Sequence, residues 1–180
     1  MATQFPQLTP KLERFIRDQR MFFVATAGPQ GRVNLSPKGL DSLRVLAPHR
    51  VAWLNGTGSG NETAAHLLQN PRMTLMFCSF EGPPMILRLY GAARMVQPRD
   101  ADWSELVALF PALPGARQVF DLTVDLVQTS CGFAVPLFDY VEQRDLLTTW
   151  AENRGPEGLA TYQRERNATS IDGYPTGVTG

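Results

Sequence analysis

Hydrophobic and polar positions alternate along much of the chain, and this period of two residues is typical of β-strands. The pattern predicts extended segments joined mostly by short turns, at residues 21–27, 32–38, 43–47, 51–54, 72–80, 85–96 and 119–130. Leu8, Leu12, Phe15 and Ile16 instead recur at helical spacing, after the start signal Thr9-Pro10. We therefore expect a mainly antiparallel β-structure with one amphipathic helix near its start.

Four further helices and two non-helical segments are predicted from their boundaries. A short helix begins at Asn61, a good N-cap residue, and ends at Asn70-Pro71. Further helices are predicted at 100–110, with Asp102 as cap, and at 142–153 and 156–166, which Gly155 separates. The chain is expected to be extended at 131–136 and irregular in the tail at 170–180.

Two strands carry a polar face that calls for an explanation. In the strand from Arg32, Val33 and Leu35 point one way, while the polar side chains Asn34, Ser36 and Lys38 point the other way. In the long strand from Val119 the even-numbered positions from Phe120 to Gln128 share one face. The opposite face carries Asp121, Thr123 and Asp125, so we expect it to be acidic and turned away from the core.

A glycine-rich loop, GTGSGN at residues 56–61, lies between a predicted strand and a helix. Glycines let main-chain N–H groups approach a ligand, and a helix N-terminus attracts anions. The spacing differs from the G-x-G-x-x-G of dinucleotide-binding folds, and the neighbouring segments are hairpins rather than βαβ units. No Lys-Ser/Thr follows as in a P-loop, so we expect an antiparallel barrel that carries an anion site.

Composition limits the classes of function. The 180 residues are 43% hydrophobic and 19% charged, with 17 basic and 17 acidic side chains, so no net field favours nucleic acid. No apolar run approaches the length of a membrane span, and the N-terminus lacks a signal peptide, so we expect a cytoplasmic protein without membrane contact. Two cysteines and two histidines without short spacing predict no metal site.

Three segments resemble the pyridoxamine 5'-phosphate oxidase-like group of FMN-binding split barrels: NLSPKG at 34–39, WLNGTGSGNETAAHLLQNPR at 53–72 and LRLYG at 87–91. The match extends from about residue 15 to 135. TSCGFAVP at 129–136 and NATSIDGYP at 167–175 resemble a subfamily of flavin-binding homologues. The resemblance implies an α+β, mainly β, six-stranded antiparallel split β-barrel with flanking helices. It also implies a homodimer whose two FMN sites lie at the subunit interface.

We expect one domain over residues 1–180, with a helical extension from about 141. Its phosphate site would use the N–H groups of residues 58 to 63 with Lys38 or Arg88, while Asn34 and Ser36 would meet the ribityl chain or ring edge. Thr57 lies where the family has a loop threonine. The candidate cofactor-binding residues are Asn34, Ser36, Lys38, Thr57, Gly58, Ser59, Gly60, Asn61, Glu62, Thr63 and Arg88.

The sequence departs from the oxidases at two places. Glu62-Thr63 stands where they have a basic pair, so Lys38, Arg88, Arg32 or Arg72 must balance the phosphate charge. Their C-terminal tryptophan and arginine signature has no counterpart in the tail, which argues against activity on pyridoxamine phosphate.

Two single residues invite a chemical role, and neither is assigned one. His66, one turn into the short helix, is interpreted as a surface or packing residue, and Cys131 as a packing residue.

The resemblance and the residues together favour an FMN-dependent oxidoreductase that acts on an unidentified small molecule through hydride transfer at the flavin N5. No side chain stands out as an acid or base, so no catalytic residue is named. Two alternatives stay open: a non-catalytic flavin or haem binding or sensing protein, and a deazaflavin-dependent reductase.

Overall fold

The structure, a computed structural model, describes residues 2–178, so the ends of the predicted single domain and of the tail lie outside the described residues. It contains eight strands and four helices in this part of the chain. The strands are β1 (Thr3–Phe5), β2 (Phe22–Thr26), β3 (Asn34–Lys38), β4 (Leu43–Ala47), β5 (Arg50–Gly56), β6 (Arg72–Cys78), β7 (Ile86–Val96) and β8 (Ala116–Ser130). The helices are α1 (Pro10–Asp18), α2 (Glu62–Leu67), α3 (Trp103–Val107) and α4 (Leu146–Arg166).

All strand pairs are antiparallel, and the strand order shows how the barrel is split. The order is β3-β2-β6-β7-β8-β5-β4, with β1 paired to β8. The two ends of this path, β3 and β4, are consecutive in sequence and only residues 39–42 connect them. The sheet must therefore curl until its edges meet, yet within the described residues β3 and β4 form no ladder. We call this gap the seam. The predicted split-barrel class is confirmed, with eight strands rather than six.

The barrel interior is filled by alternating residues of the strands, as the hydrophobic pattern predicts. Trp53 and Phe120 are fully buried, and their ring centroids lie 4.6 Å apart, which places Trp53 in the core rather than against a ligand. Leu12 and Ile16 of α1 belong to the same cluster. A second, smaller cluster lies under α3 and includes Leu106.

The helices follow the predictions with shifted ends. Thr9 caps α1, since its Oγ1 accepts a hydrogen bond from the Leu12 N–H. Helix α4 begins at Leu146, four residues later than predicted, and its turns on either side of Gly155 are separated because that residue has φ 65°. The prediction of extended chain at 131–136 is wrong, since a turn forms there with a bond from the Val135 N–H to Gly132 O.

The alternation predicted for the second half of β8 is wrong because a bulge shifts its register. Tyr90 pairs with Leu126 but Gly91 pairs with Val124, so Asp125 is the extra residue. From there the phase changes: Val127 is buried, whereas Leu126 is half-buried. A Cβ on residue 91 would lie 1.9 Å from Thr123 O, so the bulge requires glycine.

The predicted acidic outer face of β8 is wrong at Asp121. This carboxylate is buried and accepts hydrogen bonds from Arg50 Nε at 2.9 Å and Arg94 Nε at 3.0 Å. Burial opposes its charge, but the bonds from the two guanidinium groups prevail and lower the pKa of Asp121. Only Thr123 and Asp125 of the predicted face are exposed.

Gly91→Ala should destabilise the protein by at least about 2 kcal/mol, because main-chain atoms of β8 cannot move away from the new methyl group without breaking the ladder. Urea unfolding followed by circular dichroism measures the change. Gly158→Ala in α4 is the control, and it should stabilise by about 0.5 to 1 kcal/mol because alanine favours a helix. Equal stability of Gly91→Ala and wild type would contradict the bulge.

Candidate functional site

The polar face of β3 lies at the seam and is turned toward the barrel. Asn34, Ser36 and Lys38 are half-buried and stand opposite buried residues of β2. Val33 and Leu35, on the other face, are 72% and 63% exposed. The predicted alternation is therefore confirmed, and the usual arrangement is inverted: the apolar side chains face outward and the polar ones face inward. A polar interior at this point indicates a binding site.

A cavity of about 350 Å³ lies between this face of β3 and the glycine loop, which we define as residues 56–61. It is placed there because β5 ends at Gly56 and the chain must turn before α2 begins at Glu62. Residues from β3, β5, the glycine loop, α2 and β8 line it: Asn34, Ser36, Lys38, Asn55, Gly56, Gly58, Ser59, Gly60, Asn61, Glu62, Thr63 and Arg117.

Two cations line this cavity without a carboxylate partner among the described residues. Lys38 Nζ lies 5.3 Å from the centroid of the Trp53 ring. Arg117, 4% exposed, donates to neutral oxygens only: Gln118 Oε1 and Gly60 O, each at 3.0 Å, and Asn167 Oδ1 at 2.5 Å. The lining of the cavity thus carries two cations and the single carboxylate of Glu62 within the described residues.

Burial of these cations shifts their protonation. Burial, and then the repulsion of Arg117, lowers the pKa of Lys38 from 10.5 to about 8. Burial also lowers the pKa of Arg117 to about 10, against a smaller opposite influence of Tyr162. Both side chains carry a positive charge at neutral pH. A bound anion would remove the unfavourable energy of holding these charges in a place shielded from water.

Buried polar atoms without a partner also surround the cavity. Ser36 Oγ has no hydrogen-bond partner among the described residues, and neither does Nδ2 or Oδ1 of Asn61. Asn61 is 3% exposed, and the expectation that its side chain caps α2 is wrong because it makes no capping bond. Buried groups of this kind are rare unless a ligand or water completes them.

The main-chain N–H groups of residues 58–63 donate no hydrogen bond to the part of the chain that the structure describes. The loop is instead held through its carbonyls, since Asn167 Nδ2 donates to Gly58 O at 3.0 Å and Arg117 donates to Gly60 O. The charge of Glu62 would repel an anion, but its carboxylate is hydrogen-bonded outside the loop. Both of its carboxylate oxygens accept from the Ile171 N–H at 3.1 Å.

The structure brings nine of the eleven candidate residues to this cavity and places two outside it. Thr57 donates from Oγ1 to Gly115 O at 2.7 Å and accepts from Gln163 Nε2 at 2.8 Å. Arg88 lies away from the cavity and donates to Ser130 Oγ at 3.2 Å.

Sequence reasoning missed Arg117, Asn55 and Asn167 at this site. The signal for the first was the polar pair Arg117-Gln118 directly before the apolar residues Val119 and Phe120. The other cations proposed to balance the phosphate are used elsewhere: Arg32 binds Asp172, and Arg72 is exposed and donates to Asn70.

The histidine and cysteine candidates take no part in the cavity. His66 is buried, and its Nδ1 lies 3.0 Å from Thr26 Oγ1, which agrees with a packing role. Cys131 is exposed, so its interpretation as a packing residue is wrong. Among residues 2–178 there is no cluster of His, Cys, Asp or Glu that could hold a metal ion, and no helix is long and apolar enough to cross a membrane.

An antiparallel barrel open along one seam, with a cavity at that seam, defines a split-barrel protein. The model of the pyridoxamine 5'-phosphate oxidase family matches residues 8–131, and the chain belongs to this family. It is 39% identical over 196 aligned positions to the pyridoxamine 5'-phosphate oxidase family protein ustO of Aspergillus flavus, covering 97% of this chain and 78% of that protein.

Two solved structures share the fold. A candidate pyridoxamine 5'-phosphate oxidase from Lactobacillus delbrueckii aligns with a TM-score of 0.54 and 21% identity, over 68% of this chain and 94% of that one. The FAD-binding protein of Mycobacterium smegmatis aligns with a TM-score of 0.51 and 13% identity, over 71% of this chain and 98% of that one. At these identities the likeness concerns the fold.

Lys38→Met should stabilise the ligand-free protein below pH 8. A pKa lowered from 10.5 to about 8 corresponds to about 3 kcal/mol by which the charged lysine opposes folding. The folded state releases this proton near pH 8 and the unfolded state near pH 10.5, so wild-type stability should rise with pH between these values and approach that of the variant.

Urea unfolding of wild type and Lys38→Met at pH 7 and pH 10 tests this. Lys11→Met, at an exposed position of α1, is the control and should show no pH-dependent difference from wild type. If the stability gap between Lys38→Met and wild type stayed constant with pH, Lys38 would not be buried as described.

Proposed function

We propose that this protein is an FMN-binding oxidoreductase built as a single split-barrel domain, with a helical extension from about residue 141. The observation that carries the proposal is the pair of cations Lys38 and Arg117, which line one cavity and have no carboxylate partner within the described chain. The dianionic phosphate of FMN would supply the missing charge. A neutral ligand would leave both cations uncompensated.

The residues of the cavity match the parts of FMN. Lys38, Arg117 and the N–H groups of residues 58–63 would hold the phosphate. Ser36 and Asn61, whose polar atoms have no partner within the described residues, would bind the hydroxyls of the ribityl chain, as would Asn34. The roles of Ser36 and Asn61 also meet a need of the protein, since a ligand would satisfy buried polar atoms that have no partner within the described residues.

Bound FMN supplies a ring that accepts or gives a hydride, which is the chemistry expected of this site. The chain contributes binding, orientation and electrostatics. Among the described residues that line the cavity, the one carboxylate is that of Glu62. It accepts a hydrogen bond from the Ile171 N–H and is not assigned a role as proton acceptor. We therefore assign no catalytic side chain and place the reaction of the small-molecule substrate at the cofactor ring.

A second copy of the chain would complete the assembly as a homodimer, with the site at the interface. The outer face beside the seam supports this. Val33, directly before the edge strand β3, and Leu35 within that strand are exposed, while the polar side chains of β3 line the cavity. Covering this apolar edge would also protect it from unspecific pairing. A partner seated there would lie next to the cofactor.

Haem is a poorer fit to this cavity than FMN. Axial ligation of haem iron uses His, Cys, Met or Tyr, and none of these lines the cavity within the described chain. His66 is buried and hydrogen-bonded to Thr26, and Cys131 lies in the exposed turn after β8. The FAD-binding neighbour shares the fold alone, so the choice of FMN depends on the charges of the cavity.

Absorbance of the purified protein between 350 and 500 nm, with mass spectrometry of the released ligand, tests the cofactor directly. The stripped protein should bind FMN about 100-fold more tightly than riboflavin, since each charge-assisted hydrogen bond to the phosphate contributes about 1.5 to 3 kcal/mol. Lys38→Met should weaken FMN binding at least about 10-fold. Riboflavin binding should hardly change.

Flavin fluorescence titration gives these constants, and Arg72→Gln, which removes an exposed cation outside the cavity, is the matched control that should behave as wild type. Equal affinity of wild type for FMN and riboflavin would overturn the phosphate site. Reduction of the bound flavin by NADH or NADPH, followed by reoxidation by an acceptor, would support the enzyme over a binding role. Bound FMN without turnover would favour the binding role.

The affinity for FMN should fall as pH rises above about 8, because Lys38 then loses its proton and one of the two positive charges in the cavity disappears. Titrations of FMN and riboflavin at pH 7 and pH 9 measure this effect. Riboflavin, which has no phosphate, should bind with the same affinity at both values. Lys38→Met should abolish the dependence, and an unchanged slope in that variant would show that another group is titrating.

A further inference from the structure

The segment after α4, which we call the C-terminal strap (residues 167–178), lies against the glycine loop and is anchored by Asn167. This asparagine is fully buried. Its Oδ1 accepts from Arg117 Nη1 at 2.5 Å, while its Nδ2 donates to Gly58 O at 3.0 Å. Its main-chain oxygen accepts from Thr176 Oγ1 at 2.5 Å. The side chain of Asn167 thus connects the buried guanidinium to the loop, and its main-chain oxygen holds the rest of the strap.

The hydrogen bonds of Arg117 leave part of its guanidinium free for a ligand. Nε donates to Gln118 Oε1, Nη2 donates to Gly60 O, and Nη1 donates to Asn167. Three of the five N–H groups are therefore used, and within the described residues one N–H on each terminal nitrogen remains without a partner. Two such groups on neighbouring nitrogens can bind two oxygens of one phosphate.

The chemical identity of Asn167 is important because an amide is neutral. Asparagine orients the guanidinium through its oxygen and holds the loop through its nitrogen, yet it leaves the positive charge of Arg117 uncompensated. An aspartate of the same shape would form an ion pair with Arg117 and would have no N–H for Gly58 O. The site would then keep its shape and lose its attraction for an anion.

We propose that Asn167 is a positioning residue for phosphate recognition, and that the docked C-terminal strap is a part of the phosphate site. This inference depends on the proposed function and deepens it. The ligand class is a flavin phosphate monoester, held by Arg117 only while Asn167 fixes the guanidinium. The binding of the phosphate and the docking of the strap therefore favour each other.

Further contacts hold the strap against the N-terminus of α2 and against the turn before β3. Glu62 accepts from the Ile171 N–H, and Asp172 accepts from the Arg32 N–H at 2.8 Å and also binds the Arg32 guanidinium. Gly31 allows this approach, because a Cβ there would lie 2.5 Å from Asp172 Oδ2. The strap is thus bound both to α2, which contributes Glu62 to the cavity, and to the turn before β3, the strand that contributes Lys38.

The first test compares FMN with riboflavin in Asn167→Asp. FMN should bind at least about 10-fold more weakly than to wild type, since the charge-assisted bonds of Arg117 are redirected to the new carboxylate. Riboflavin affinity should change less than about 3-fold, because it makes none of these bonds. A purely structural role of Asn167 would weaken both ligands equally. Asn153→Asp, at an exposed position of α4, carries the same change of charge and should bind both flavins as wild type does.

The second test uses the wild-type protein and therefore does not depend on the folding of a variant. Trypsin cleaves after Arg164 and Arg166, which are exposed at the end of α4 just before the strap. Saturating FMN should slow cleavage at these two sites, and saturating riboflavin should slow it much less. Equal rates with both flavins would show that the phosphate and the strap are not coupled.

The outcomes separate the two proposals. If wild type binds FMN no better than riboflavin, the phosphate site itself is wrong. If wild type discriminates between the two flavins, and Asn167→Asp discriminates equally well, the function stands and the role of Asn167 is wrong. Loss of discrimination in Asn167→Asp together with selective protection by FMN would support the inference.

Discussion

The candidate site depends on two positive charges that line one cavity and that have no carboxylate partner within the described residues. Lys38 comes from the edge strand β3 and Arg117 from the start of β8, and the burial that lowers both pKa values is a cost to the folded state. Buried cations normally have an acidic partner. Among the described residues that line the cavity, the one acid is Glu62, and its carboxylate accepts hydrogen bonds from the Ile171 N–H of the strap. This arrangement of charges is the reason why we propose that the cavity binds an anion.

The split in the barrel explains how such a cavity can exist beside a dense core. A fully closed barrel would pair β3 with β4 and would place the inner face of β3 against the packed interior. Because the two strands are joined by four residues but do not pair, the inner face of β3 borders a gap and can be polar. The interior beyond it, around Trp53 and Phe120, remains tightly packed. Its packing stabilises the fold and offsets the unfavourable burial of charge at the cavity.

The departure from the oxidases in the first turn of α2 has a physical counterpart elsewhere in this chain. A basic pair in that turn would bring cations to the phosphate from the helix. This chain has Glu62-Thr63 there, and it brings the cations from the strands, with Asn167 of the C-terminal strap holding Arg117 in place. Under the proposed function, Lys38 and Arg117 would supply the charge that the basic pair supplies in the oxidases, from different places along the sequence. The membership in the family and the change within the site are compatible for this reason.

What the sequence determined by itself was everything set by neighbours along the chain. The strands, the polar face of Asn34, Ser36 and Lys38, the glycine loop and the kink at Gly155 follow from local periodicity and from glycine geometry, and the structure confirms them. Only the tertiary structure decided which cation reaches the cavity. Arg88 and Arg117 both lie on strands, but only the register of β7, β8 and β5 shows that Arg117 faces the seam. The same holds for Asp121, which pairing buries, and for the bulge at Gly91, because these depend on contacts between residues distant in sequence.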